Sequence, residues 1–294
     1  MPIDAAICRN QLRPTYLLNK TFKGARRLKK NNHNAFTRDK ITGVLYMEIV
    51  KNKLNENFIN YRIAHRGLHS DGVCENSLEA FRRAIEAGYG IELDVHLTAD
   101  GKLCVIHDCY LSRMTGKPGV AEQLTSEELK EYRLKDGQHI PMLPEVLELV
   151  AGRVPILIEL KFRRRFNEAQ ADELLRELES YAYKDMVALQ SFHPLAVKYL
   201  KEHTAEYPVG YLCSYRLIRK KRSFLNYMLR TLKFYRYMHA DFISYDITYL
   251  PNRYVAKKKK RGVQVLAWTV NSKEKERRAM RVADNIIFEN IEPF

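Results

Sequence analysis

A regular alternation of short apolar runs and amphipathic helical stretches is the feature that most constrains the fold. Between residues 61 and 288, eight runs with the length and composition of strands are separated from one another by segments of helical periodicity. The runs are YRIAH, IELDV, PILIEL, MVALQ, PVGYLC, DFISY, VQVLAW and NIIF. Alternating strands and helices form parallel βαβ units, so eight units predict an α/β fold, a closed (β/α)8 TIM barrel. The chain has 294 residues, and such a barrel needs about 250.

A tight hairpin is predicted directly after the second strand. The pair Asp100-Gly101 separates two β-rich pieces between residues 95 and 107, and this dipeptide favours a two-residue turn. The returning piece would carry His107 back toward the carboxyl end of the second strand.

Residues 1–58 differ from the rest and are predicted to form a basic, amphipathic N-terminal extension to a barrel domain at 59–294. The extension contains the cluster RRLKK and then apolar residues near helical spacing, which favour a helix near residues 41–58. The sequence stops six residues after NIIF, so the helix that should follow the eighth strand is expected to be missing or vestigial. Because a barrel does not leave one side of its sheet bare, the predicted helix would cover that side. A loosely held tail is the alternative that the sequence leaves open.

Carboxylates lie inside two of the apolar strands. Side chains on a strand alternate between its faces, so Glu92 and Asp94 share the face opposite to that of the apolar residues between them. The strand PILIELK repeats this design with Glu159 and Lys161. In a barrel the apolar face packs on the helices, and the polar face points inward near the carboxyl ends, where active sites lie. We therefore expect three carboxylates to converge at the carboxyl-terminal end of the barrel, which we call its mouth.

Three negative charges in a confined site repel one another and raise one another's pKa values unless a cation neutralises them. A hard divalent ion with oxygen ligands is the simplest solution, and Glu92, Asp94 and Glu159 are therefore predicted to bind Ca²⁺ or Mg²⁺. The alternative is that each acid pairs with an arginine.

Two histidines and two cationic side chains complete this predicted site. His65 ends the first strand and His107 ends the hairpin, and two imidazoles can share general-base and general-acid duties near neutral pH. Arg66 and Lys161 add positive charge that suits a phosphate, the arginine as a planar fork and the lysine as a point charge.

At this point the sequence resembles a known family. The segment HRGLHSDGVCENSLEAFRRAIEAGYGIELDVHLTADGKLCVIHDCYL is similar to the glycerophosphodiester phosphodiesterase family in its HRG, E-N-S, E-x-D with T-x-D-G, and H-D motifs. The similarity continues through ILIELK, LQSF and AWTVN and covers about residues 61–291. Two positions depart from the family pattern: Cys74 stands where proline is usual, and the closing I-x-T-D-x-P motif is replaced by IIFENIEP.

The resemblance implies a (β/α)8 barrel that hydrolyses a glycerophosphodiester to glycerol 3-phosphate and an alcohol. It assigns the acid/base pair, the metal ligands and the phosphate-binding Arg66 and Lys161 to the same residues as the reasoning above. It adds Glu75 and Asn76 near the metal, and Trp268 as an aromatic residue of the substrate pocket. Two alternatives stay open: a lysophospholipase D-like enzyme at a membrane surface, and a catalytically silent barrel that serves as a binding module.

The charge pattern bears on partners and location. The net charge of +15 and the runs KFRRR, YRLIRKKR and KKKKR favour an anionic partner, either a substrate phosphate or an anionic membrane contacted peripherally, although solvated surface runs would look the same. No nucleic-acid motif accompanies the charge, so nucleic acid is not expected. Five scattered cysteines, no export signal and no apolar window of about 18 residues predict a cytoplasmic protein, with membrane association left open. The sequence does not indicate the oligomeric state.

Overall fold

A computed structural model describes residues 52–70, 72–163, 165–215 and 224–294, together with two short strands at 36–38 and 45–47. Eight parallel strands form a closed ring, because each pairs with the next along the chain and the eighth pairs with the first. The strands are β1 Ile63–His65, β2 Gly90–Leu97, β3 Ile156–Leu160, β4 Val187–Ser191, β5 Val209–Cys213, β6 Phe242–Asp246, β7 Gln264–Val270 and β8 Asn285–Phe288. The predicted (β/α)8 barrel and its eight strands are thereby confirmed.

Helices connect successive strands on the outside of this ring. The main ones are α1 Leu78–Glu86, α2 Leu143–Val150, α3 Glu168–Glu179, α4 Pro194–His203, α5 Phe224–Arg230, α6 Arg253–Lys259 and α7 Lys273–Ala279. Shorter helical turns are Glu56–Asn60, Ser112–Thr115, Ala121–Gln123, Ser126–Leu129, Lys184–Met186, Tyr235–Met238 and Ile247–Tyr249. The start of α1 follows local sequence, since the Ser77 hydroxyl accepts a hydrogen bond from the Ala80 amide at 3.1 Å and caps the helix.

The outward faces of the strands make the main core with these helices. On β2, the side chains of Ile91, Leu93 and Val95 are fully buried and belong to the same apolar cluster as Phe81 of α1. Burying each such side chain stabilises the fold by about 1.5–3 kcal/mol. Because packing uses this face, the opposite face of β2 is left to point into the barrel.

The predicted hairpin is present. The strand Leu103–Val105 runs antiparallel to the end of β2, with Val95 opposite Val105. The amide of Ile106 then donates to the carbonyl of Asp94 at 3.0 Å, which fixes His107 at the carboxyl end of β2.

The N-terminal extension differs from its prediction. Residues Leu45–Met47 form a strand that pairs antiparallel with Phe36–Arg38, so a helix near 41–58 is wrong over that stretch. Among the described residues of this stretch only those of the helix Glu56–Asn60 are helical, and this helix crosses the predicted domain boundary between residues 58 and 59. Residues 48–51 and the RRLKK cluster lie outside the described residues.

The short helix fills the lower, amino-terminal end of the barrel and does not cover the side of β8. Leu54 and Phe58 are 3% and 1% exposed. They share an apolar cluster with six residues, Ile63, Leu157, Ala188, Phe242, Leu266 and Ile287. On the outer side of β8, Phe288 instead packs edge-to-face against the ring of Tyr89, with 4.9 Å between ring centroids. Contact with these six apolar residues removes the Leu54 and Phe58 side chains from water, which stabilises the helix in this position.

Polar contacts hold this segment in place. The amide of Asn52 donates to Asp241 at 3.0 Å, and Asp241 forms a buried ion pair with Lys201, whose Nζ lies 2.9 Å from both carboxylate oxygens. Leu54 exchanges two backbone hydrogen bonds with the Gln264 side chain, at 2.8 and 2.9 Å. Across the described residues, no helix is long and apolar enough to cross a membrane.

Candidate active site

Three carboxylates meet inside the barrel at the carboxyl ends of β2 and β3. Glu92, Asp94 and Glu159 are 2%, 0% and 3% exposed, and each offers an oxygen within 4.8 Å of the others. Strand register produces this arrangement, because Asp94 lies level with Glu159 and Glu92 lies level with His65 of β1. The predicted convergence of these three acids is present in the structure.

Two cationic side chains surround the three acids. Lys161 Nζ lies 3.2 Å from Asp94 Oδ1 and 2.9 Å from Glu159 Oε1. Arg66 Nε lies 3.4 Å from Asp94 Oδ2, while the Arg66 amide donates to Glu92 Oε2 at 3.1 Å. The alternative that each acid pairs with its own arginine does not describe the cluster, since Glu159 pairs with a lysine and Asp94 contacts both cations.

The pKa values of the three acids indicate that their negative charges are only partly balanced by the neighbouring cations. Burial and the nearby charges of Asp94 and Glu159 raise the pKa of Glu92 well above its usual value. Burial raises the pKa of Glu159 to about 7, with Lys161 opposing and Asp94 adding to the effect. Asp94 behaves differently: burial alone would raise its pKa, but the charge of Lys161, with lesser contributions from other cations, holds it well below the usual range.

Burial and mutual repulsion thus disfavour ionisation of Glu92 and Glu159 beside ionised Asp94, and a further positive charge would relieve that repulsion. Three carboxylates on a rigid mouth are the donor set that Ca²⁺ or Mg²⁺ prefers, so the residues present fit the predicted metal ligands.

Each candidate catalytic histidine is held by a carboxylate through its Nδ1 atom. His65 Nδ1 lies 2.7 Å from Glu289 Oε2, and His107 Nδ1 lies 2.7 Å from Asp108 Oδ1. A carboxylate at Nδ1 fixes the ring and favours the proton on that nitrogen, which leaves Nε2 to exchange protons with a substrate. Burial, with Lys161 and Arg66 adding positive charge, lowers the pKa of His107 to about 4.

A bidentate arginine links the E-N and H-D segments. Arg113 contacts Glu75 through both terminal nitrogens, at 3.1 and 2.6 Å, and its Nε contacts Asp108. Glu75 also accepts a hydrogen bond from Arg66 Nη1 at 2.9 Å. Although burial acts to raise it, Arg66 and Arg113 lower the pKa of Glu75 to about 2. Glu75 is thus engaged with arginines, and it is not a member of the three-acid cluster.

Asn76 contacts the three-acid cluster without being one of its carboxylates. Its amide nitrogen donates to Asp94 Oδ2 at 2.9 Å, and its backbone lies in the left-handed region with φ +55°. Arg66 is also left-handed, with φ +59°, and its carbonyl accepts the Asn76 amide at 2.9 Å. Gly67 follows with φ +79°, where an added Cβ would lie 2.9 Å from the backbone of Ala80. The glycine of the HRG motif is therefore required by the close approach of α1, and two strained residues aim their side chains at the mouth.

Trp268 reaches the same mouth from β7. It is half-buried, and its ring meets the Phe192 ring edge-to-face at 5.4 Å. Lys161 Nζ lies 5.8 Å from the centre of that Phe192 ring, so the two aromatic side chains lie next to Lys161. The indole Nε1 is buried and has no hydrogen-bond partner among the described residues.

The structure thus brings together every residue that the sequence nominated, and it adds three that the sequence argument missed. Glu289, Asp108 and Arg113 orient the nominated groups. Asp108 could have been found, since it belongs to the H-D motif itself. Glu289 stands directly after β8, in the motif that departs from the family pattern, and nothing in the sequence around Arg113 signals its role.

Comparisons with known proteins find one family repeatedly. Residues 65–292 match the model of the glycerophosphoryl diester phosphodiesterase family. A glycerophosphodiester phosphodiesterase of Caldanaerobacter subterraneus subsp. tengcongensis is 32% identical over 240 residues, which cover 78% of this chain and 94% of that protein. The crystal structure of a glycerophosphodiester phosphodiesterase from Thermotoga maritima is 30% identical, with a TM-score of 0.61 over 78% of this chain and 94% of that one. A lysophospholipase D of Mus musculus is 30% identical over 146 residues, or 45% of this chain and 46% of that protein.

Proposed function

Since the chain belongs to the glycerophosphoryl diester phosphodiesterase family, we propose that it hydrolyses a glycerophosphodiester to glycerol 3-phosphate and an alcohol. It is a phosphoric diester hydrolase of that family. The observation that carries the proposal is the meeting, at one barrel mouth, of a buried three-acid cluster, two cations and two carboxylate-held histidines.

Glu92, Asp94 and Glu159 would hold the divalent cation, which is Ca²⁺ or Mg²⁺. When bound, such an ion supplies positive charge that stabilises negative charge developing on phosphoryl oxygens. Asn76 supports this assignment, because its amide holds one oxygen of Asp94 at 2.9 Å and so limits how that ligand can turn.

Arg66 and Lys161 would bind the phosphodiester. Both are buried beside the acids, at 7% and 6% exposure, so a phosphate that reaches them leaves water and meets two fixed cations. Cations placed in advance where charge develops lower the barrier without reorganising during the reaction. Glu75 would hold the Arg66 guanidinium in position, and Trp268 would pack against the glycerol or alcohol part of the substrate.

His65 and His107 would move the protons. One ring accepts a proton from the attacking hydroxyl, and the other donates a proton to the leaving alcohol. Each such proton transfer raises the reaction rate by about 10²–10⁴-fold. Attack by water and attack by the glycerol hydroxyl both fit this arrangement. The second route gives a cyclic phosphate, which phosphorus NMR of the reaction mixture would detect.

The test measures release of glycerol 3-phosphate from glycerophosphocholine, with and without a chelator. Chelator-sensitive turnover is expected. If purified protein turns over neither glycerophosphocholine nor any other glycerophosphodiester, the proposal is wrong and the silent-barrel alternative stands.

A lysophospholipase D-like activity is the second candidate. The similarity to the mouse lysophospholipase D supports it, although that similarity covers 45% of the chain. Choline release from lysophosphatidylcholine, compared with release from glycerophosphocholine under the same conditions, separates the two. We also propose a reducing, cytoplasmic setting, which the unpaired thiols of Cys74, Cys104, Cys109 and Cys213 support. Cell fractionation tests it.

A further inference from the structure

Much of the positive charge of this protein lies in one sector of the barrel. Among residues 224–261, nine are basic and two are acidic, a net +7 out of the formal +15 of the whole chain. The basic residues are Arg230, Lys233, Arg236, Arg253, Lys257, Lys258, Lys259, Lys260 and Arg261. The two acids do not neutralise this surface, since Asp241 is buried against Lys201 and Asp246 accepts hydrogen bonds from Ser214 and Thr248.

The three basic runs in the sequence have different surroundings. In KFRRR, Arg163 is held by Glu122 through its amide at 2.9 Å and its Nε at 3.1 Å. In KKKKR, which ends α6 at the end of the barrel opposite the mouth, Lys259 pairs with Asp284. YRLIRKKR lies outside the described residues except for Tyr215.

The end of this sector at the active-site mouth is built from alternating tyrosines and arginines. We call it the β5–β6 rim and define it as Tyr215, Tyr227, Arg230, Tyr249, Arg253 and Tyr254. All six follow the carboxyl ends of β5 or β6 in the chain, and those ends form the mouth.

Contacts within the β5–β6 rim order its side chains. The Arg230 guanidinium lies 5.1 Å from the centre of the Tyr215 ring, which meets the Tyr249 ring edge-to-face at 5.1 Å. Arg253 lies 4.8 Å from the ring of Tyr254 and donates to its hydroxyl at 2.7 Å. Among the described residues no carboxylate pairs with Arg230 or Arg253, and both are exposed.

We propose that the β5–β6 rim docks on the surface of an anionic phospholipid bilayer and turns the active-site mouth toward it. Tyrosine suits a bilayer interface because its ring is apolar and its hydroxyl is polar, and Tyr227 is 53% exposed. The two arginines contact lipid phosphates as planar forks. Neighbouring Lys233, also exposed, adds attraction.

The rim's place beside the mouth favours a bilayer over a nucleic acid. A glycerophosphodiester that carries an acyl chain sits in a membrane, and docking at this edge would bring its head group to the site. This consequence for substrate access rests on the proposed function, whereas the docking itself does not.

The test measures binding of the full chain to sedimented vesicles. One set contains phosphatidylcholine alone, and the other contains phosphatidylcholine with phosphatidylserine. The variant Arg230→Gln/Arg253→Gln should weaken binding to the phosphatidylserine vesicles about 25-fold, at about fivefold for each arginine near the surface. Tyr227→Ser should weaken the binding that remains at high salt, where charge attraction is screened.

The matched control is Lys260→Gln/Arg261→Gln, which removes the same charge just past the last residue of α6, about 10–12 Å from Arg253 along the helix axis at 1.5 Å per residue. It should leave binding within about twofold, because charges a Debye length or more from the surface are screened. Equal losses in the two double variants, or equal binding to both sets of vesicles, would overturn the proposal. Tighter binding of single-stranded RNA at the same salt, lost in the rim variant, would also overturn it and identify a nucleic-acid surface instead.

Activity separates this proposal from the proposed function. The rim variant should keep wild-type turnover of glycerophosphocholine in solution, since neither arginine belongs to the catalytic machinery. It should lose turnover of lysophosphatidylcholine presented in the phosphatidylserine vesicles. If no substrate is turned over at all, the proposed function fails, while the vesicle measurements still decide the docking.

Discussion

His65 Nδ1 lies 2.7 Å from Glu289 Oε2, although the two residues are 224 positions apart in the chain. The pair exists because β8 closes the barrel against β1 and brings the residue after β8 beside the end of β1. Although burial acts to raise it, the contact with His65 lowers the pKa of Glu289 to about 2, so the carboxylate is ionised at neutral pH. Glu289 therefore holds the ring of His65 with an ionised carboxylate.

We predict that Glu289→Gln lowers kcat by about 10–100-fold, because the amide keeps a hydrogen bond but loses the charge that stabilises the imidazolium. In the pH profile of kcat, the limb that depends on protonation of His65 should shift. Glu292→Gln, at an exposed position in the same tail, is the control and should change neither quantity. An unchanged pH profile in the first variant would show that Glu289 has only a structural role.

Replacing Glu92 by glutamine should abolish cation binding and activity while leaving the apo fold intact or more stable. The raised pKa of Glu92 means that its charge is costly in the empty cluster, and the amide removes that cost. Titration calorimetry with Ca²⁺ and Mg²⁺ measures binding, and thermal unfolding in chelator measures stability. Glu177→Gln, at another buried acid outside the mouth, should bind the cation as the parent does.

Cation binding should also stabilise the native protein, because the ion binds the folded state and not the unfolded chain. At a free concentration one hundred times Kd the gain is about 2.7 kcal/mol in the free energy of unfolding. Thermal melts at increasing cation concentration check it, and the Glu92→Gln variant should show no such rise. A midpoint that does not depend on the cation in the parent protein would count against a metal at this site.

Glu177 on α3 gives a pH dependence that does not involve the mouth. Burial raises its pKa to about 7, and the neighbouring charge of Glu173 adds to the shift. Because the folded pKa is above the unfolded one, the stability contribution of Glu177 is present below about pH 4.5 and is lost as the pH rises through 7.

We therefore expect Glu177→Gln to be more stable than the parent at pH 8 by about 1 kcal/mol, a value discounted for partial exposure, and equal to it at pH 4. Denaturant melts at the two pH values measure the difference. Glu179→Gln, exposed on the same helix, should show no pH-dependent gain. An equal gain at both pH values would indicate a packing effect in place of a charge effect.

Leu54 and Phe58 should behave as core residues of the barrel. Leu54→Ala should reduce the free energy of unfolding by about 2–5 kcal/mol, and Phe58→Ala by about 3–5 kcal/mol. A chain that starts at Asn52 should keep the stability of the full chain, whereas one that starts at Ile59 should lose most of it. Lys53→Ala, exposed in the same segment, is the control. Full stability of the chain that starts at residue 59 would show that residues 59–294 fold without the preceding segment, as the predicted domain boundary implies.

The sequence and the structure disagree most at the N-terminal extension, and the reason is physical. Apolar residues near helical spacing predicted a helix near 41–58, but a stretch this short satisfies other arrangements equally well. Leu54 and Phe58 are buried by the open end of a barrel that the local sequence does not describe. Their position depends on polar contacts to Asp241 and Gln264, both more than 180 residues away in the chain.

By itself the sequence determined the barrel, its eight strands and the inward direction of Glu92, Asp94 and Glu159. These features depend on alternation along a strand and on periodicity along a helix, which are local properties of the chain. Only the tertiary structure decided that Glu289 holds His65, that Arg113 joins Glu75 to Asp108, and that Leu54 and Phe58 close the lower end. Those contacts join segments that are distant in the chain and meet only when the ring closes, so no local sequence pattern predicts them.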